Sequence, residues 1–210
     1  GLESEDVRKK LRKEVSPRAP TWEDAWLMNF SRPQNHQYEG VSVAQIAQMR
    51  DQHPVDALCD MLLEEGLQVN YVAAGANGVA LPQFVAHPLS MVGSDAVLLG
   101  DFPSPRTYGC FPIILSEFVR EEGHLSLPDA IRKMTSFPAQ RLGIQDRGIL
   151  RDGMKADITI FNPDTVKAPG TRTQPKKYPI GIDHVIVNGT IVVDEGEHTG
   201  KLPGRALRHS

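Results

Sequence analysis

From Arg147 onward the apolar residues of this chain cease to recur at helical spacing. They gather instead into short β-type runs, Gly148-Ile149-Leu150, 156–161 and 184–187. Asn188-Gly189 stands between Val185/Val187 and Ile191/Val193. Such a dipeptide between alternating apolar residues predicts a two-residue hairpin, because both central residues of a type I′ turn need positive φ. A chain that changes from helical to sheet texture at one point is expected to have two parts. The expected boundary lies near residue 144, with residues 1–143 in one domain and 144–210 in the next. Residues 167–177, with Pro169, Gly170, Pro175 and basic charge, read as an exposed loop.

Before the boundary the pattern is mostly helical. Ser4, Glu5 and Asp6 open a helix with Val7, Leu11 and Val15 on one face. Its basic cluster, Arg8, Lys9, Lys10, Arg12 and Lys13, reads as a solvated face, with a phosphate or RNA contact as the alternative. Ser42 with Gln45 three residues on is a capping box, and Val43, Ile46 and Met49 form the buried side of the helix it starts. His53-Pro54 suits another first helical turn, with a stripe of Val55, Leu58, Cys59 and Leu62 that Gly66 closes. A short strand at Trp26-Leu27-Met28, a strand over 67–74 and helices over 79–86, 113–122 and 126–135 complete the reading, followed by a turn over 136–142. Alternating strands and helices predict βα units, a parallel sheet and an α/β class.

Composition bounds the rest. With 210 residues, 40% of them hydrophobic and 23% charged, the chain can bury a core. A net charge of -3 leaves no basic footprint for nucleic acid, and no apolar run approaches the roughly 18 residues that span a membrane. Two cysteines, Cys59 and Cys110, lack CxxC spacing, so a reducing, cytoplasmic compartment is expected rather than a disulfide framework. Cys59 reads as core filler. The chain opens with neither Met nor a secretory pattern and is expected to be a fragment, or one piece of a cleaved or split protein.

Chemistry concentrates in the stretch 87–112. Leu89 to Val92 form a short apolar segment, read as a buried strand, that stops at Gly93-Ser94-Asp95. In a barrel of alternating strands and helices, side chains that reach substrate sit where strands end, which suits Asp95 for catalysis. An Asp there is equally suited to forming a turn or capping a helix. Arg106 lies eleven residues on, in a Pro-rich loop. A planar guanidinium fork binds carboxylates through two parallel hydrogen bonds, although an isolated Arg in a loop is commonly a surface residue. The seven histidines never occur as an HxH pair, and each reads as structural or surface.

The segments HPLSMVGSD, PRTYGCFP, DRGILRDGMKADITIFNPDTV and GIDHVIVNGTIVVDEGEHTGKLPGRALR together resemble the C-terminal part of N-acyl-D-amino-acid deacylases, or D-aminoacylases, of the metal-dependent amidohydrolase superfamily. The resemblance implies the C-terminal portion of a TIM-type (β/α)8 barrel followed by part of a small β-sandwich. It implies hydrolysis of N-acyl-D-amino acids with one or two zinc ions. In it Asp95 ligates metal and carries the proton from water to the leaving amine, and Arg106 grips the substrate α-carboxylate. Tyr108 lines the pocket, and Tyr38 stands in for a substrate-contacting tyrosine. The remaining metal ligands are absent from this chain, so a complementing N-terminal polypeptide is expected and the chain alone is expected to be inactive. Residues 96–100 are apolar where the deacylases carry a polar, histidine-containing loop. A hydantoinase or dihydroorotase relative, or a non-catalytic remnant that binds a partner chain, are the alternative readings.

Overall fold

Local signals account for the helices that a computed structural model, describing residues 1–14, 21–73 and 80–207, contains. Val15, Ala74, Val79 and His209, which figure in the expectations above, lie outside the described residues. The chain divides into two compact units, each assembled from three stretches. The first is Gly1–Gly78, Val97–Ser104 and Thr171–Lys176, and the second is Val79–Ala96, Pro105–Gly170 and Lys177–Ser210. The boundary expected near residue 144 falls inside the second unit.

The first unit comprises α1 (Glu5–Lys13), β1 (Ala25–Met28), α2 (Val43–Met49), α3 (Pro54–Glu64) and β2 (Asn70–Ala73), with 3₁₀ turns at Trp22–Asp24 and Pro33–Tyr38. Helix α2 starts at the expected capping box. Ser42 Oγ accepts from the Gln45 amide at 3.2 Å, and Gln45 Oε1 accepts from the Ser42 amide at 3.1 Å. Pro54 opens α3, where His53 Nδ1 accepts from the Val55 amide at 3.2 Å. Both α2 and α1 pack on α3. Its buried residues are therefore Val55, Ala57, Cys59 and Met61, while Leu58 and Leu62 of the expected stripe are half-buried. Ala25, Leu27, Phe30, Tyr38, Val43 and Ile46 complete the core around them.

Two expectations fail here for physical reasons. Helix α1 buries none of its residues, and it docks on α3 through charge rather than an apolar stripe. Arg8 donates to Asp60 at 2.6 Å, and Arg12 reaches both oxygens of Asp56 at 2.7 Å. Two of the five basic residues, Arg8 and Arg12, thus make a helix-helix contact, while Lys9, Lys10 and Lys13 stay exposed. Strands β1 and β2 pair antiparallel, with Ala25 opposite Ala73 and Met28 opposite Asn70. Two helices join them, not the single-helix crossover that returns a chain parallel. Among the described residues every strand pairing is antiparallel.

The second unit carries α4 (Ala80–Ala86), α5 (Arg106–Ile113), α6 (Leu127–Met134) and α7 (Ser136–Arg141). A meander of β3 (Ile158–Phe161), β4 (Ile182–Val187), β5 (Thr190–Asp194) and β6 (Glu197–His198) follows, in that spatial order. Asn188 and Gly189, at φ 49° and 76°, form the expected turn between β4 and β5. Glu195-Gly196 repeats it between β5 and β6 with φ 48° and 84°. The run Gly148-Ile149-Leu150, expected as β, is an unpaired loop with Leu150 exposed. Ile114, Leu115, Phe118, Leu125, Ala130 and Val166 form the core.

Helix α5 begins at Arg106, seven residues before the expected start. The prolines that suggested a loop are tolerated at a helix start, and the Pro105 carbonyl accepts from the amides of Tyr108 and Gly109. Gly109 serves close approach, since a Cβ there would stand 2.7 Å from the Ala168 methyl. Pro112, inside the helix, has no N–H to donate, and the helix widens to π form over Ile114–Glu121. No helix among the described residues is long and apolar enough to cross a membrane.

Candidate functional site

The residues expected to carry chemistry fall mainly in the second unit. Residues 89–92 form no strand, Leu89 standing in a turn closed by the Ser90 amide on the His87 carbonyl, and Leu89 and Met91 are exposed. This corrects the expected buried strand. Among the described residues no neighbouring strand supplies a ladder; the segment bonds locally to Val85 and His87, and to α6 through the Val92 amide on the Lys133 carbonyl at 3.1 Å. Asp95 ends this stretch with φ 45°, a left-handed conformation that Asp tolerates better than most side chains. The chain leaves for the first unit at Val97 and returns at Pro105.

Helix α5 then holds the Asp95 turn. Arg106, in its first turn, donates from Nη2 to the Asp95 carboxylate at 2.7 Å and from Nε to the Asp95 carbonyl at 3.2 Å. Both side chains are open to solvent, Arg106 at 52% and Asp95 at 84% exposure. Cys110, one turn further, directs its thiol at the Gly93 carbonyl, 3.6 Å away, and burial pushes that thiol's pKa up. Tyr108 lies edge-on to Tyr178, with ring centroids 5.8 Å apart. The structure therefore brings Asp95 and Arg106 into contact and puts Tyr108 on the same short helix as Arg106.

Tyr38 has a different setting. It belongs to the first unit, is buried, packs edge-on to Phe30, and accepts from Arg50 Nε at 3.2 Å. Those are the contacts of a core tyrosine. Cys59 is likewise buried, and burial pushes its thiol up, as expected for core filler.

The described histidines are engaged locally. His36 Nε2 meets the Phe30 carbonyl at 3.1 Å, and His53, His87 and His198 accept from nearby backbone amides. His124 and His184 pair with Glu122 and Asp194 at 2.9 and 3.0 Å. Among the described residues no three His, Cys, Asp or Glu side chains gather as a metal-holding group. Asp95 by itself does not fit a metal centre.

Lys133 went unremarked in the sequence. It sits on α6 at 1% exposure, the largest of the fully buried side chains, with its ammonium on the 87–90 backbone. Its neighbour Arg132 is charged too, so nothing in the local pattern distinguishes the buried cation from an exposed one.

A mixed helical and antiparallel fold with an acid and an arginine eleven residues apart, joined at one turn, is found here in a chain that belongs to the amidohydrolase family, whose model matches residues 21–193. An N-acyl-D-aspartate deacylase of Alcaligenes xylosoxydans xylosoxydans is 43% identical over 123 residues, which are 58% of this chain and 24% of the relative. The crystal structure of a D-aminoacylase described as defining a novel subset of amidohydrolases matches with TM-score 0.74 and 28% identity, over 84% of this chain and 36% of that one. An N-acyl-D-glutamate deacylase from Bordetella bronchiseptica, complexed with zinc and a phosphonate that mimics the tetrahedral intermediate, matches with TM-score 0.73 and 27% identity, over 89% of this chain and 42% of that one. The chain spans about a quarter of the length of the curated deacylases it matches.

Proposed function

We propose that this chain is the C-terminal portion of a zinc-dependent N-acyl-D-amino-acid deacylase, the end of a TIM-type barrel followed by part of a small β-sandwich. The similarity to N-acyl-D-amino-acid deacylases carries the reading. The contact between Asp95 and Arg106 supports it from this chain's own residues. The 89–92 segment, which pairs with no strand among the described residues, suits the end of a barrel strand whose neighbours lie elsewhere in a longer or split protein. One or two zinc ions are the proposed cofactor. Since Asp95 is a single ligand, the others come from a complementing N-terminal polypeptide, and this chain alone is inactive.

The roles of the chain's own groups follow from their chemistry. Arg106 presents its fork to the substrate α-carboxylate, with Tyr108 beside it on α5. A carboxylate that takes Arg106 also takes it from Asp95, whose oxygen is then free to accept a proton. Asp95 receives that proton as water adds to the scissile carbonyl, then passes it to the amine nitrogen as the C–N bond breaks. The products are a carboxylate and a D-amino acid.

The test is an assay of the complete protein with N-acetyl-D-amino acids and their L enantiomers, together with elemental analysis and intact mass. Hydrolysis of the D series, zinc at one or two equivalents, and histidine-bearing chain beyond these residues are the expected results. Full-length protein that binds no metal and leaves every D substrate intact would rule the reading out.

A further inference from the structure

We propose that Lys133 is a positioning residue for this site, fastening the 87–92 backbone to α6 and thereby setting where Asp95 is presented. The proposal rests on the deacylase reading for its effect on turnover.

A lysine at 1% exposure needs an account, because burying an ammonium without partners is costly and a leucine would fill the space without that cost. Burial draws the Lys133 pKa below its ordinary value. The ammonium is nonetheless fully used. It has three N–H groups, and three acceptors face them: the His87 carbonyl, the Ser90 carbonyl at 3.2 Å and Ser90 Oγ at 2.9 Å. All three acceptors lie on one stretch of chain, and none is a carboxylate. The same residue's carbonyl accepts from the Val92 amide at 3.1 Å. Arg132 adds a bond from Nη2 to the Pro88 carbonyl at 3.3 Å. Residues 132 and 133 thus hold positions 87, 88, 90 and 92, and Asp95 follows three residues later.

The segment's other bonds are local, with Ser90 Oγ donating to the Val85 and His87 carbonyls at 2.8 Å, and Val92 packs against the core. Among the described residues the segment has no strand partner, and Leu89 and Met91 point into solvent rather than into the core. Strand pairing ordinarily fixes a segment of this kind, and here the bonds that tie it to a distant part of the chain come from one helix, α6. Downstream, α5 grips the far side of the turn through Cys110 on Gly93 and Arg106 on Asp95. Asp95 is suspended between two helices, and Lys133 is the upstream anchor.

The experiment compares Lys133→Met, which keeps the length and removes the donors, with Lys133→Arg and Ser90→Ala in the complete enzyme. Misplacing a reacting group by about 1 Å costs roughly 100-fold, so kcat of Lys133→Met is expected to fall about 100-fold with KM for N-acetyl-D-amino acids within twofold. Ser90→Ala, which removes one of the three Lys133 acceptors together with the hydroxyl's own bonds to the Val85 and His87 carbonyls, should lower kcat up to about tenfold and stands in if Lys133→Met does not fold. Lys133→Arg, which keeps the charge and the donors, should recover part of the loss. Amide hydrogen exchange over 87–95 should speed up in Lys133→Met while 106–113 exchanges as before.

Unchanged exchange over 87–95 overturns the fastening whatever the enzyme acts on. So does a uniform rise in exchange with kcat and KM both impaired, which marks a merely structural lysine. An inactive parent enzyme with faster exchange over 87–95 in the variant overturns the deacylase reading and keeps the anchor.

Discussion

Replacing Arg106 by alanine should separate stability from activity. In the resting site its guanidinium meets Asp95 at 2.7 Å, with the two side chains 52% and 84% exposed. Ion pairs so open to water contribute about 0–1 kcal/mol, so the variant's melting temperature should stay within a few degrees of the parent's. The bound state differs, because a substrate carboxylate held by a guanidinium fork is worth about 1.5–3 kcal/mol. At about 1.36 kcal/mol per decade, that predicts a loss of roughly 10- to 150-fold in kcat/KM for N-acetyl-D-amino acids. Arg106→Lys keeps the charge without the fork and should fall between. The assay pairs steady-state hydrolysis with a circular dichroism melt and adds an N-acetyl amide that lacks the α-carboxylate. On that compound the parent and the alanine variant should be equally slow. Unchanged kcat/KM on the carboxylated substrates, or an equal loss on both kinds of substrate, would refute the carboxylate clamp.

Other perturbations test the scaffold. Gly109→Ala puts a methyl 2.7 Å from that of Ala168, and overpacking of this kind costs about 1–3 kcal/mol, so the midpoint of urea unfolding should drop clearly. Ser42→Ala removes the acceptor for the Gln45 amide and should cost about 0.5–2 kcal/mol in the same measurement. Asp157 feels burial, which raises its pKa, but the Asn188 amide at 2.8 Å and Arg147 outweigh it and hold the carboxyl below its usual range. A depressed carboxylate stabilises the fold above its unfolded pKa of about 3.9 and loses that contribution as pH falls through the folded value. Asp157→Asn should therefore lower stability at neutral pH and flatten its decline below about pH 4, as read by unfolding across pH. An identical acid limb in the parent and the variant would mean that Asp157 does not couple to folding.

What the sequence by itself determined lies within a few residues of each feature. The Ser42 capping box needs only Gln45, and the β4–β5 turn needs only Asn188 and Gly189 at positive φ. Hydrogen bonds between near neighbours form in much the same way whatever surrounds them. Tertiary structure decided the rest, because burial and pairing depend on partners far along the chain. Arg12 leaves the solvated face for Asp56, 44 residues away, and Lys133 turns inward to His87, 46 residues away. Tyr38, matched by position to a substrate contact, is drawn into a core by Arg50 and Phe30. Residues 89–92 have the composition of a buried strand and no strand beside them among the described residues, so Leu89 and Met91 stay exposed. A pattern of apolar residues states what a segment can bury, and only the chain that arrives next to it decides whether it does.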